Sequence, residues 1–115
     1  MGEIYYEDTI HLTPLPWSRT RGKQNQRFLS PKLRKYYNDL GWVFRSVGLP
    51  PTEKQLDVFV EFYRKDQRRL DLDNLQKALA DAMKDYYDDA QIVHWDSRKI
   101  MGADEEKIVL RITEV

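Results

Sequence analysis

Residues 55–64, QLDVFVEFYR, alternate without a slip: Leu56, Val58, Val60 and Phe62 share one parity, while Asp57, Phe59, Glu61 and Tyr63 share the other. Successive side chains on a strand point to opposite faces, so this stretch is a strand that buries one face and leaves the other partly wet. The chain therefore builds a sheet with one covered face, and the cover must come from its remaining segments. At 115 residues there is room for one core of ordinary size, and no shift in composition marks a second. A single domain over residues 1–115 is the expectation.

The other segments supply candidates for both sheet and cover. Residues 4–12 place Ile4, Tyr6, Ile10 and Leu12 in one parity, an alternation broken at Asp8, and read as a first strand. TPLPWSRTRGKQNQRFLSP then carries Pro14, Pro16, Gly22 and many polar residues, the composition of an extended loop. Ser30 followed by Pro31 is a helix-start signal, since the hydroxyl can cap and proline is harmless at the first helical position. Leu33, Tyr36, Tyr37, Leu40, Phe44 and Val47 recur at three- and four-residue spacing, and Gly48, Pro50 and Pro51 supply the stop, which predicts a helix over 31–47.

From Leu72, the apolar face Leu72, Leu75, Leu79, Ala82 and Met83 predicts a second helix reaching about Tyr86. QIVHWDSRKI reads as a third strand, and KIVLRITEV, with Ile108, Leu110 and Ile112 together, as a fourth. The order β-α-β-α-β-β predicts an α+β domain with both helices on one face of a four-stranded sheet, mainly antiparallel or mixed.

Several function classes fall away on composition. With no cysteine, there is no disulfide framework, thiolate metal site or thiol nucleophile, and a reducing, cytoplasmic setting is the natural expectation. No apolar run approaches the roughly 20 residues of a membrane helix. Nineteen basic and nineteen acidic residues cancel, yet they are segregated. Arg19, Arg21, Lys23, Arg27, Lys32, Arg34 and Lys35 run from Trp17 to Tyr37 with no acid among them, and RKDQRR covers Arg64 to Arg69; acids crowd Asp71 to Asp89.

Within that acidic run, RRLDLDNLQKALADAM sets Asp71 and Asp73 two residues apart at a strand-to-helix junction. Asp71 stands where an N-cap would, and a cap typically contributes about 1 kcal/mol with no further purpose required. Two carboxylates able to converge on one point also repel unless a proton or cation relieves them. Mg²⁺ suits, because it favours oxygen ligands and usually takes one or two protein carboxylates. DLDN opens like an EF-hand calcium loop, but the sixth position, glycine in such loops, is Gln76 and the twelfth, glutamate, is Ala82. Lys77, four residues after Asp73, has the spacing of an ordinary helical ion pair. Asp88 and Asp89 follow at the other end of the helix.

RRLDLDNLQKALADAM, then DDAQIV, then Lys99 together resemble the RusA family of Holliday junction resolvases in order and nearly in spacing, over roughly residues 64–99. The resemblance implies that Asp71, Asp73 and Asp89 bind Mg²⁺, with Mn²⁺ as a further candidate, and that Lys77 is the active-site lysine. It also implies a homodimer acting on four-way DNA junctions by paired nicks in opposing strands, in a setting of bacterial or phage recombination and repair. A metal so held can polarise the scissile phosphate and activate water. Arg19, Arg21, Lys23, Arg27, Arg68, Arg69 and Lys99 are then candidates for the DNA backbone, which an acidic centre would otherwise repel.

The loop after the first strand departs from the Pro-Ser-x-Asn pattern of familiar members, reading PLPWSRTRGKQNQRF. Its Trp17 and Phe28 suit either stacking on bases or packing in a core or dimer contact. His11 and His94 fall outside the matched motif and read as structural or solvent-facing, and Trp42 and Trp95 as packing residues. Two alternatives to a nuclease stand beside it: a non-catalytic nucleic-acid-binding domain, and a metal-stabilised homodimeric module with structural acids. Clustered acids beside phosphate favour the nuclease.

Overall fold

The alternating stretch forms the strand Leu56–Arg64, and its even residues Leu56, Val58, Val60 and Phe62 are fully buried while the odd ones stay half-exposed. The computed structural model describes residues 2–18, 20–21, 27–28 and 30–115, with the side chains of 20, 21, 27 and 28 left aside. In chain order the elements are β1 (Ile4–Ile10), β2 (Thr20–Arg21), β3 (Arg27–Phe28), α1 (Pro31–Val47), β4 (Leu56–Arg64), α2 (Leu72–Met83), β5 (Ile92–Met101) and β6 (Lys107–Glu114). The main sheet runs β1-β6-β4-β5, with β6 antiparallel to both β1 and β4, and β5 parallel to β4. The result is an α+β domain with a mixed four-stranded sheet and two helices.

Register puts Val58, Val60 and Phe62 beside Ile112, Leu110 and Ile108 on one flank and beside Trp95, Ser97 and Lys99 on the other. The inward stripe of α1, Leu33, Tyr36, Leu40 and Phe44, and that of α2, Leu75, Ala78, Leu79 and Met83, close over this face in one core. The opposite face carries Phe59 under the guanidinium groups of Arg98 and Arg111, and an exposed His94 paired with Asp57 at 2.8 Å.

α1 has the predicted bounds because both its ends are written locally. The Ser30 hydroxyl accepts from the Leu33 amide at 3.1 Å, and Gly48, at φ 63°, takes the left-handed turn in which its amide bonds the Arg45 carbonyl. A parallel β4–β5 pair demands a crossover, which α2 provides. α2 therefore runs back along the sheet, from the end of β4 to the start of β5.

Four expectations shift. α2 ends at Met83 rather than near Tyr86, because the chain turns there to bury Tyr87, whose hydroxyl donates to the Pro50 carbonyl at 2.7 Å. Trp42 is 66% exposed rather than packed, since it lies two residues from Leu40 and so on the far side of the helix. The loop after β1 contains a two-residue ladder, Thr20 opposite Phe28 and Arg21 opposite Arg27, too short to announce itself by alternation. β1 itself stops at Ile10, so Leu12 already belongs to that loop.

Candidate active site

The site begins where β4 ends. Arg64 continues the inward parity of β4 and is 6% exposed, so its charge needs partners inside the fold. Its Nη1 donates to the Pro14 carbonyl at 2.7 Å, and Nε and Nη2 bond both oxygens of Asp66 at 3.2 and 2.9 Å. Glu106 stands 3.6 Å away and accepts from the Thr13 hydroxyl at 2.8 Å and the Lys65 amide at 3.3 Å. Hydrogen bonds from Arg64 hold the Asp66 carboxyl below its ordinary value, and the bond from Thr13, with the Lys65 amide and Arg64, does the same for Glu106. This network ties the loop after β1 to the segment leading into α2.

α2 opens at Asp71, whose backbone carbonyl accepts from the Asn74 and Leu75 amides, both at 3.2 Å. Asp71 occupies the N-cap position but its carboxylate caps none of the helix amides. Asp73 sits in the first turn and, among the described residues, accepts locally from the Asn74 amide at 3.0 Å. Both acids are exposed, and the positive end of the helix dipole offsets part of their repulsion. One turn further on, Lys77 is also exposed.

β5 braces this turn from the sheet side. Lys99 Nζ donates to the Leu70 carbonyl, immediately before Asp71, and the Ser97 hydroxyl donates to Gln76 Oε1 at 2.7 Å. Lys99, expected among the DNA contacts, thus has at least one of its donors engaged in shaping the acidic turn.

Asp88 and Asp89 lie at the other end of α2. Asp88 caps a short 3-10 turn, Asp89–Gln91: its carboxylate accepts from the Ala90 amide at 3.1 Å and its amide donates to Gln91 Oε1 at 2.8 Å. Gln91 in turn donates to the Thr52 and Lys54 carbonyls, before the start of β4. The twelve residues of α2 span about 18 Å. Within one chain, then, Asp71, Asp73, Lys77 and Lys99 share one end of the domain and Asp89 stands at the opposite end. Among the described residues, no group of three or more His, Cys, Asp or Glu is arranged to hold a metal ion. Two exposed carboxylates at the start of α2, with Asp71 uncommitted to the helix, do fit the one or two protein oxygens a hydrated divalent ion takes.

The loop after β1 completes the wall. The Trp17 amide donates to the Asn74 carbonyl at 2.8 Å, and Lys77 Nζ lies 4.8 Å from the centre of the Trp17 ring. Pro16, Trp17, Arg69, Leu70, Asp71 and Asn74 line one open cleft of about 410 Å³. Arg68 faces a neighbouring hollow with Ser18, Ser30 and Lys32 at the start of α1. Arg19 and Lys23 lie outside the described residues, and Arg21 and Arg27 are described by backbone alone. The Trp17 contacts and the Arg64 anchor went unnoticed in the sequence. Arg64 had a signal in its inward parity on β4, whereas nothing local links Trp17 to α2.

Comparison with known proteins bears on the whole of this arrangement. The model of the family described as Endodeoxyribonuclease RusA matches residues 11–113. The protein named Crossover junction endodeoxyribonuclease rusA, from Enterobacteria phage 82, is 30% identical over 120 residues, covering 94% of this chain and 97% of that protein. Both matches take in the loop after β1 as well as the acids.

Proposed function

Because the chain belongs to the RusA family of endodeoxyribonucleases, enzymes acting on DNA junctions, we propose that it works as a Mg²⁺-dependent homodimer that resolves four-way junctions by paired nicks in opposing strands. The observation that carries this reading is the start of α2. There Asp71 and Arg69 line an open cleft, and the exposed Asp73 and Lys77 follow within the first two turns of α2. A protein that only bound DNA would gain nothing from acids at the point where phosphates approach.

Asp71 and Asp73 would hold the ion from one chain. When bound, a divalent ion supplies Lewis-acid polarisation of the scissile phosphate, for which Mg²⁺ is the first candidate and Mn²⁺ the second. Lys77 adds a positive charge facing the phosphate oxygens as negative charge develops there. Arg69, in the cleft wall, and Arg68 beside it take the neighbouring backbone phosphates. Asp89 cannot join Asp71 and Asp73 from its own chain, at the far end of an 18 Å helix. A second copy supplies it, which makes dimerisation a condition for a complete acid set and gives each dimer two sites for two cuts.

Cleavage of a synthetic four-way junction with Mg²⁺ tests the proposal. Asp73→Asn should fold and bind the junction but not cut it; cutting equal to wild type removes the metal assignment. Binding without cutting by the wild-type protein would return the non-catalytic alternative. Mixing inactive Asp73→Asn with inactive Asp89→Asn should restore single nicks, because a mixed dimer carries one intact acid set. No recovery on mixing would place all three acids in one chain's site.

A further inference from the structure

The loop after β1 reaches α2 through two contacts at once. Trp17 donates its amide to the Asn74 carbonyl at 2.8 Å, so the loop backbone is fastened to the turn of α2 that lies between Asp73 and Lys77. Its ring then lies 4.8 Å from Lys77 Nζ, inside the range of about 6 Å in which an ammonium is attracted to an indole face. The same side chain lines the cleft that Asp71 lines. Upstream, Arg64 grips the Pro14 carbonyl at 2.7 Å, so the segment that presents Trp17 is anchored on both sides of Pro16.

An exposed lysine has a long stem with roughly 2 kcal/mol of rotamer entropy, and its ammonium is spread over many positions unless something holds it. Among the described residues the holder is a ring from a distant loop, with no ion pair from Lys77 to a carboxylate. A carboxylate in direct ion-pair contact with the Lys77 ammonium would cancel much of the charge that a phosphate needs to meet, whereas a ring restrains the ammonium and leaves its charge intact.

From this geometry we propose that Trp17 is a positioning residue for Lys77 in phosphodiester hydrolysis, so that the loop after β1 sets the cutting rate as well as meeting the DNA. The proposal rests on the assignment of Lys77 to the reaction. It also gives the PLPW sequence of this chain a task inside the active site.

A double-mutant cycle tests it, with Trp17→Leu, Trp17→Phe, Lys77→Ala and the Trp17→Leu/Lys77→Ala pair, read as single-turnover cleavage of a four-way junction at saturating protein. Trp17→Leu should slow cutting by about three- to tenfold, as expected for loss of a cation–ring contact, with junction affinity nearly unchanged. Trp17→Phe, which keeps a ring, should recover most of the rate. In the Lys77→Ala background, Trp17→Leu should have no further effect. The same factor in both backgrounds would overturn the proposal while leaving Lys77 in the reaction; a fully active Lys77→Ala would remove Lys77 and the proposal together. A second measurement keeps the question open to refutation if Trp17→Leu is poorly folded. In the wild type, the ε-methylene protons of Lys77 should be shifted upfield by the indole, less so in Trp17→Phe. An unshifted signal in folded wild-type protein denies the contact.

Discussion

Replacing Arg64 with methionine removes a charge from the interior and releases the Pro14 carbonyl it holds. Methionine keeps most of the aliphatic stem, so the cavity is small and the loss is chiefly polar. The bond from a charged donor to the buried Pro14 carbonyl contributes roughly 1.5–3 kcal/mol. Asp66 and Glu106 both reach solvent, so their side of the network relaxes into water and adds little. A loss of about 2 kcal/mol follows, which for a chain of this length lowers Tm by roughly 8–10 °C.

Urea titration followed by far-ultraviolet circular dichroism measures that loss as a lower midpoint with an unchanged slope. The same titration near pH 3 divides the effect. Asp66 and Glu106 have depressed carboxyl values in the fold, so their contribution is present above the unfolded carboxylate range of about 4 and disappears as pH falls through the lower folded values. At neutral pH the difference between wild type and Arg64→Met includes these pairs; near pH 3 it shrinks toward the Pro14 bond alone. A loss below about 0.5 kcal/mol at pH 7 would refute the reasoning, since a carbonyl deprived of its donor in a closed interior cannot be that inexpensive. The variant should also cut junctions more slowly than its stability explains, because Pro14 lies three residues before Trp17.

The two adjacent acids after α2 should separate cleanly: Asp88→Ala removes the cap of the 3-10 turn and costs about 1 kcal/mol by urea titration with cutting retained, whereas Asp89→Asn should leave stability alone and abolish cutting. Leu79→Ala, at a fully buried position between α2 and the sheet, should lose 2–5 kcal/mol in the same assay, roughly the range for such truncations. Burial pushes the hydroxyls of Tyr6, with Asp8 nearby, and Tyr87 up to about 12. Their contribution is whole below the unfolded value of about 10 and is lost as pH rises toward the folded one. Absorbance at 295 nm should therefore show these two tyrosines ionising late, with Tyr36 and Tyr37, whose hydroxyls burial pushes higher still, after them, and stability falling over the same alkaline interval.

The features readable in the sequence are those whose cause is local. The alternation of β4, the Ser30–Pro31 start of α1 and its stop at Gly48 each lie within a few residues, and each element has its expected place. The exposure of Trp42, expected to pack, also had a local mark that the expectation missed: two residues from Leu40 turns a side chain about 200° from the inward stripe. The contacts that shape the active-site wall are of another kind: Trp17 on Asn74 and Lys99 on the Leu70 carbonyl join segments whose local patterns carry no mark of one another.

The position of Asp89 shows how one nonlocal choice decides the rest. Its type and its neighbours in DDAQIV were plain, and so was the helix between it and Asp73. Where it lands depends on whether β5 runs with β4 or against it, which a four-stranded sheet described as antiparallel or mixed leaves open. An antiparallel β5 would start beside the end of β4 and bring Asp89 toward Asp71. The parallel ladder, with Ile92 opposite Leu56, starts β5 at the other end and carries Asp89 away by the length of α2. The strand sense that closes the core is thus what parts the acids within one chain, and under the proposed function it is also why cutting requires a second copy.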